Sequence, residues 1–170
     1  MNTQETWLEV GLAEQRMRLF EDGRVAQAWP VSSAANGAGE QNGSGCTPRG
    51  WHVIRARIGA GQPANAVFVG RRPTGEILTP ALYAAAPERD WILTRILWLS
   101  GLERGKNRLG EVDTMRRYIY IHGMPDHLPI DRPGSKGCIR MRNADLIALF
   151  DRVAAGTRVL IAEQDEASCR

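Results

Sequence analysis

The sequence predicts one mainly β domain with a short α-component. Short β-rich runs recur between Gly, Pro, Asn and Asp turn signals along most of the chain. Only one clear stretch, near the C-terminus, carries apolar residues at helical spacing. The 170 residues contain no internal repeat and no linker, and they are enough to bury one core.

The elements follow in order. Strands are expected at 7–10 and 17–20, with a turn around Ala13, Glu14 and Gln15. Asp22-Gly23 then turns the chain into a strand at 25–29, which completes a β-meander. Residues 36–50, NGAGEQNGSGCTPRG, match no phosphate-binding fingerprint, and their first half reads as a flexible surface loop. Thr47-Pro48-Arg49-Gly50 stiffens the entry to a strand at 51–57. Further strands are expected at 66–69 and 92–99, with a short helix at 80–86 between them. The polar stretch 101–113 is a loop, and 118–121 is a buried strand. Asn143 is the expected N-cap of the C-terminal helix, with Asp145 in its first turn. Leu146, Leu149, Phe150 and Val153 form its buried face, and Gly156 is the expected C′ residue. A last strand at 157–161 follows. The domain is therefore 1–163, with 164–170 a flexible tail.

Composition excludes several classes. The chain is 43% apolar and 24% charged, and no apolar run approaches the ~20 residues of a membrane span. The opening MNTQETWLEVGLAEQ has neither a basic n-region nor an apolar h-region, so no secretory signal is visible and a cytoplasmic location is expected, or a periplasmic one if a signal has been trimmed from this sequence. Net charge is a mild +3. Its cations, nearly all arginine, are spread rather than striped among aromatics, so no nucleic-acid partner is expected. Arginine's planar fork suits small ligands bearing carboxylates. Cys46, Cys138 and Cys169 are odd in number and widely spaced, which argues against a disulfide framework.

The chemistry concentrates in RYIYIHGMPDHLPIDRPGSKGCIRMRN, from Arg117 to Asn143. Pro125, Pro129 and Pro133 keep the stretch between His122 and Cys138 from being a helix. An extended excursion that returns can place both at one rim, and Gly123 and Gly137 allow close backbone approach. Backbone N–H groups of Lys136, Gly137 and Cys138 can converge on an oxyanion. Lys136 and Arg140 add positive charge beside the sulfur, which favours thiolate. Spacing alone leaves other readings open. Cys138 is compatible with a small buried apolar residue, and His122 with a hydrogen-bonded core histidine. His122, His127 and Cys138 match no strong zinc spacing, so neither a metal nor a cofactor is expected. Arg49, Arg95 and Trp98 are weaker candidates for the cleft, while Cys46 and His52 read as structural.

I-H-G followed by S-x-G-C-I-R-M-x-N-x-D resembles the signature of the L,D-transpeptidase (YkuD-type) catalytic domain. The E-D-G hairpin, P-V-S, T-P-x-G, the I-L-T-R-I-L-W-L strand and the final helix and strand extend the resemblance over nearly the whole chain. It implies a β-sandwich or capped barrel. It also implies that Cys138 is the nucleophile, that His122 is its base and that the Gly123 carbonyl orients the imidazole. Gly137 and Cys138 N–H groups would hold the oxyanion, and Arg140 would brace the loop or meet a substrate carboxylate. Ser135, Lys136 and Met124 complete the expected substrate-facing set. Two positions depart from the family pattern: Lys136 stands where His is usual, and Met124 where Thr commonly follows H-G.

The resemblance implies a peptidoglycan tetrapeptide or muropeptide as substrate, cleaved between its third residue and D-Ala through a thioester. It further implies covalent acylation by carbapenems. Water as acceptor makes the enzyme an L,D-carboxypeptidase. That is the first expectation, because a cytoplasmic enzyme would meet precursors and recycled fragments. An amine acceptor gives 3→3 cross-links or exchange of the terminal D-amino acid. A non-catalytic wall-peptide-binding module is the remaining expectation.

Overall fold

The structure, a computed structural model, describes residues 5–164. Strands β1 (Thr6–Gly11), β2 (Arg16–Glu21) and β3 (Arg24–Pro30) form the expected meander. Next come β4 (Gly50–Ile58), β5 (Ala66–Val69), β6 (Arg72–Ile77) and helix α1 (Pro80–Ala85). Strands β7 (Ile92–Gly101), β8 (Tyr120–Gly123) and β9 (Ile139–Met141) lead to helix α2 (Asn143–Phe150) and strand β10 (Arg158–Ala162).

All ten strands share one hydrogen-bonded sheet, in the order β3-β2-β1-β10-β4-β7, with β8 and then β9 beyond β7. Only β1–β10 and β8–β9 are parallel. The sheet closes on itself. Ser32, just past β3, bridges Arg140 of β9, and each N–H reaches the other's carbonyl at 2.9 Å. Alternate side chains then fill the interior: Leu8 and Val10, Met17 and Leu19, Leu97 and Leu99, Ile139 and Met141, Val159 and Ile161. Leu146, Leu149 and Phe150 of α2 cap this core. The β5–β6 hairpin leaves the barrel from β7 and packs Phe68 outside it, against Ile96 and Tyr120.

Several local expectations need correction. Strand β8 begins two residues later than predicted, because Tyr118 has φ +56 and ends a turn. Strand β6 was not expected from RPTGEI. Its Pro73 is tolerated because β6 is an exposed edge strand. Strand β9 was also not foreseen, since three residues carry too little pattern. Arg142, not Asn143, is the N-cap of α2. The Asn143 amide is drawn into a buried network described below, and Asp126 Oδ1 lies 3.4 Å from its backbone N–H. Helix α2 stops at Phe150 with Asp151 as C-cap, so Gly156 is not its C′ residue. Gly156 (φ +94) instead turns the chain into β10, and its N–H donates to Ile54 O at 2.8 Å. The α1 prediction agrees with the structure: Thr79 Oγ1 accepts Leu82 N–H at 3.1 Å and Pro80 occupies the first turn. The predicted tail lies outside the described residues, apart from Gln164. Among the described residues, no helix is long and apolar enough to cross a membrane.

Candidate active site

Strand alternation builds the site on the outside of the barrel. Ile121 and Ile139 point inward, so Tyr120 and His122 on β8, with Cys138 and Arg140 at β9, point outward together. His122 is in register with Arg140. His122 and Cys138 line one cavity of about 440 Å³.

The imidazole is held through its own neighbour. Nδ1 of His122 lies 2.7 Å from Gly123 O. A carbonyl only accepts, so Nδ1 carries the proton and Nε2 holds the free lone pair. Burial pushes the His122 pKa down; the Gly123 hydrogen bond and nearby Asp90 act the other way. Cys138 Sγ accepts Tyr120 N–H at 3.3 Å and lies 3.4 Å from Tyr118 O. Burial pushes its thiol up to about 12, against the Tyr120 N–H and Arg117, which act to lower it. The expectation that Lys136 and Arg140 favour thiolate is therefore corrected: the cation that acts on the thiol is Arg117, and desolvation outweighs it.

The turn before Cys138 is held from three sides. Ser135 Oγ donates to Cys138 O at 2.5 Å and accepts Gly137 N–H at 3.2 Å. Thr47 Oγ1 donates to Gly137 O at 2.9 Å. Gly137 has φ +133, and a Cβ there would lie 3.2 Å from Ile119 Cδ1 and 3.3 Å from Cys46 O. Ser135 already engages the Gly137 N–H, whereas the N–H groups of Lys136 and Cys138 have no acceptor among the described residues.

The Gly-rich loop does not line the cavity, but it is anchored to residues at the site. Half-buried Arg117 reaches Gly39 O and Glu40 O at 3.3 Å and Cys46 O at 2.6 Å. Thr47 Oγ1 also accepts Ala34 N–H at 3.0 Å. On the opposite side, the β5–β6 tip brings Arg71 to Tyr120 OH at 3.1 Å, with its guanidinium over Trp98 and Tyr118.

The remaining predicted residues divide. Lys136 is exposed and lines the cavity. Arg140 donates to Ser32 Oγ at 2.8 Å, and its Nε is buried with no hydrogen-bond partner among the described residues; Arg140 does not line the cavity. Met124 is fully buried, so its side chain packs inside and does not face the cavity. Arg95 is also buried, bonded to Gln62 O and Thr94 O. Trp98 supports Tyr118 and Tyr120 from behind. Arg49 pairs with Glu40 and Glu163 beside another cavity. His127 stands edge-on to Tyr83, also at a different cavity. Buried His52 bonds Gly50 O and Thr114 Oγ1. Among the described residues, no group of three or more His, Cys, Asp or Glu is placed to hold a metal ion. Sequence reasoning missed Asp90, Arg117 and Arg71, which face the cavity from distant segments. No local motif marks them.

Comparisons with known proteins agree with this architecture. The family model for the L,D-transpeptidase catalytic domain (YkuD) matches residues 5–161. A probable L,D-transpeptidase, ErfK/SrfK of Escherichia coli, is 48% identical over 48 residues, covering 28% of this chain and 16% of that protein. The solved L,D-transpeptidase of Xylanimonas cellulosilytica (residues 123–326) aligns with TM-score 0.53 and 22% identity, over 95% of this chain and 62% of that one. L,D-transpeptidase 3 of Mycobacterium tuberculosis aligns with TM-score 0.55 and 14% identity, over 95% and 61%. The chain thus spans under a fifth of the curated relative and somewhat over half of these solved chains. The matched span runs from β1 into β10 and contains the whole cavity, so the chain belongs to the L,D-transpeptidase catalytic domain family.

Proposed function

We propose that the protein is a cysteine acyl-transfer enzyme acting on peptidoglycan tetrapeptide stems, with Cys138 as nucleophile and His122 as base. The observation that carries this is the His122–Gly123 hydrogen bond, which presents an unprotonated Nε2 on the cavity wall that also holds Cys138. Substrate entry displaces water. The Cys138 proton passes to Nε2, and sulfur attacks the carbonyl of the third stem residue. The developing oxyanion meets the Cys138 N–H, with Gly137 contributing if Ser135 releases it. The protonated imidazole then gives its proton to the leaving amine, and D-Ala departs from the thioester. Lys136 and Arg71 in the wall suit the carboxylates of such a stem.

Water resolves the thioester in the reading we favour, giving L,D-carboxypeptidase activity in the cytoplasm during murein recycling. Asp90 favours a second reading. Among the described residues it is the only carboxylate lining the cavity, and it acts on both His122 and Cys138, a place suited to an ammonium-bearing acceptor. Transfer to that acceptor gives cross-linking or D-amino-acid exchange.

Family members bind β-lactams: one solved relative is in complex with imipenem, and another carries a faropenem-derived adduct. We extend covalent carbapenem acylation to Cys138. The test incubates the protein with tetrapeptide, with and without an amine acceptor, and reads products by mass. Free D-Ala plus tripeptide supports hydrolysis; a new amide supports transfer. D-Ala release that persists in Cys138→Ala rules out the nucleophile assignment. No turnover and no imipenem adduct would leave a wall-peptide-binding module.

A further inference from the structure

We infer that Asn143 and Thr94 are positioning residues that set the ring of His122, by fixing the Gly123–Met124 peptide whose carbonyl binds Nδ1. This rests on the reading of His122 as the base.

The argument begins with a strained residue. Thr94 has φ +76, a conformation that β-branched residues rarely adopt. It lies in a bulge of β7 directly opposite the histidine. Leu93 pairs with Gly123 and Ile96 pairs with His122, so Thr94 and Arg95 are two extra residues facing one peptide link. Such strain persists only where surrounding contacts hold it, and those contacts converge on Asn143.

Thr94 Oγ1 donates to Asn143 Oδ1 at 2.5 Å and accepts Asn65 N–H at 2.9 Å. Asn143 Nδ2 reaches Met124 O at 2.8 Å, Asp126 Oδ1 at 3.0 Å and Asn65 Oδ1 at 3.1 Å. Both side chains are buried, Thr94 at 0% and Asn143 at 2% exposure, so none of these groups exchanges freely with water.

The network grips the backbone just after His122. A Cβ on Gly123 would lie 2.2 Å from Asn143 Oδ1 and 2.6 Å from Leu93 O, so the amide and the bulge box in its Cα from two sides. The Met124 N–H, in the same peptide plane as the Gly123 carbonyl, donates to Met141 O at 3.2 Å. The next carbonyl, Met124 O, is the one that Asn143 holds. With both flanks pinned, the Gly123 carbonyl has one direction, and that direction meets His122 Nδ1. In many sites a carboxylate fixes the tautomer of the base. Here a backbone carbonyl does so, and a buried Asn–Thr pair on two other elements aims it.

The test uses the intact protein in three forms: wild type, Thr94→Val and Thr94→Ser. Valine keeps the shape and loses the hydroxyl; serine keeps the hydroxyl. The primary readout is the His122 tautomer by imidazole nitrogen NMR, tractable because the chain has three histidines. In Thr94→Val the single Nδ1–H tautomer gives way to a mixture, and Thr94→Ser restores it. For D-Ala release, Thr94→Val loses about tenfold in kcat, as expected for a misaligned base, with KM changed less than about twofold. If Thr94→Val does not fold, Asn143→Ala replaces it, since it removes the same grip from the other end. A Thr94→Val protein that keeps the Nδ1–H tautomer and loses only thermal stability overturns the inference. If no form releases D-Ala, the reading of the activity fails, and the tautomer still decides whether this pair positions the ring.

Discussion

Thr47 Oγ1 donates to the carbonyl of Gly137 at 2.9 Å, across 90 positions of sequence. The same oxygen accepts the Ala34 N–H at 3.0 Å. One buried hydroxyl thus ties the Gly-rich loop, the segment after β3 and the turn before Cys138. Thr47→Val leaves a buried N–H and a buried carbonyl without partners. It should cost about 1–3 kcal/mol of stability by denaturant unfolding. In the same variant kcat for D-Ala release should fall more than KM rises, because the oxyanion turn loosens.

Gly137→Ala should affect activity more than stability. The residue's φ of +133 is unfavourable for any side chain, and the added methyl presses on Ile119 and Cys46 O. The turn can respond only by moving the Cys138 N–H. Loss of imipenem acylation, read by intact mass, with a thermal transition still present is the expected result.

Cys138 should alkylate slowly in the resting protein. With its thiol pushed up to about 12, almost no thiolate exists at neutral pH, and iodoacetamide should react more slowly than with a free cysteine. The rate should climb through the alkaline range without a plateau below about 12. Under the proposed function His122 takes the thiol proton, so imipenem should still acylate near neutrality. A low plateau in the alkylation profile would show a stable thiolate and overturn the account of a thiol raised by burial.

Acid should destabilise the fold through His52. Its pKa falls from 6.5 to about 4, chiefly by burial. The unfolded chain therefore binds a proton that the folded chain refuses between those values. Stability is full above about 6.5 and declines as pH falls to about 4, by roughly 3 kcal/mol from this group. Buried His122 shifts in the same direction and adds to the decline. His52→Gln should lower stability at neutral pH yet flatten this slope by about one proton, measured by urea unfolding across the range.

Local pattern made much of the fold legible. The meander, strands β4, β5, β7 and β10 and both helices follow from alternation, turn residues and an N-terminal Pro. Elements defined by their neighbours were not. Strand β9 is three residues long, β6 contains Pro and Gly, and Gly156 signalled a helix end that lies elsewhere. Asn143 looked like an N-cap because that is its local preference; a buried network competes for the same amide and takes it.

The sequence by itself singled out the candidate pair and its immediate frame. His122-Gly123 and Ser135 to Arg140 are contiguous, so residue type, glycine placement and family resemblance were enough to single them out. Tertiary structure alone decided the state of that pair. Burial pushes the thiol up and the imidazole down, against the reading that adjacent cations favour thiolate. Barrel closure through Ser32 and Arg140, the Arg117 grip on the Gly-rich loop and the reach of Asp90 and Arg71 into the cavity join segments far apart in the chain. Desolvation and long-range contact depend on what surrounds a residue in space, and no local pattern encodes that.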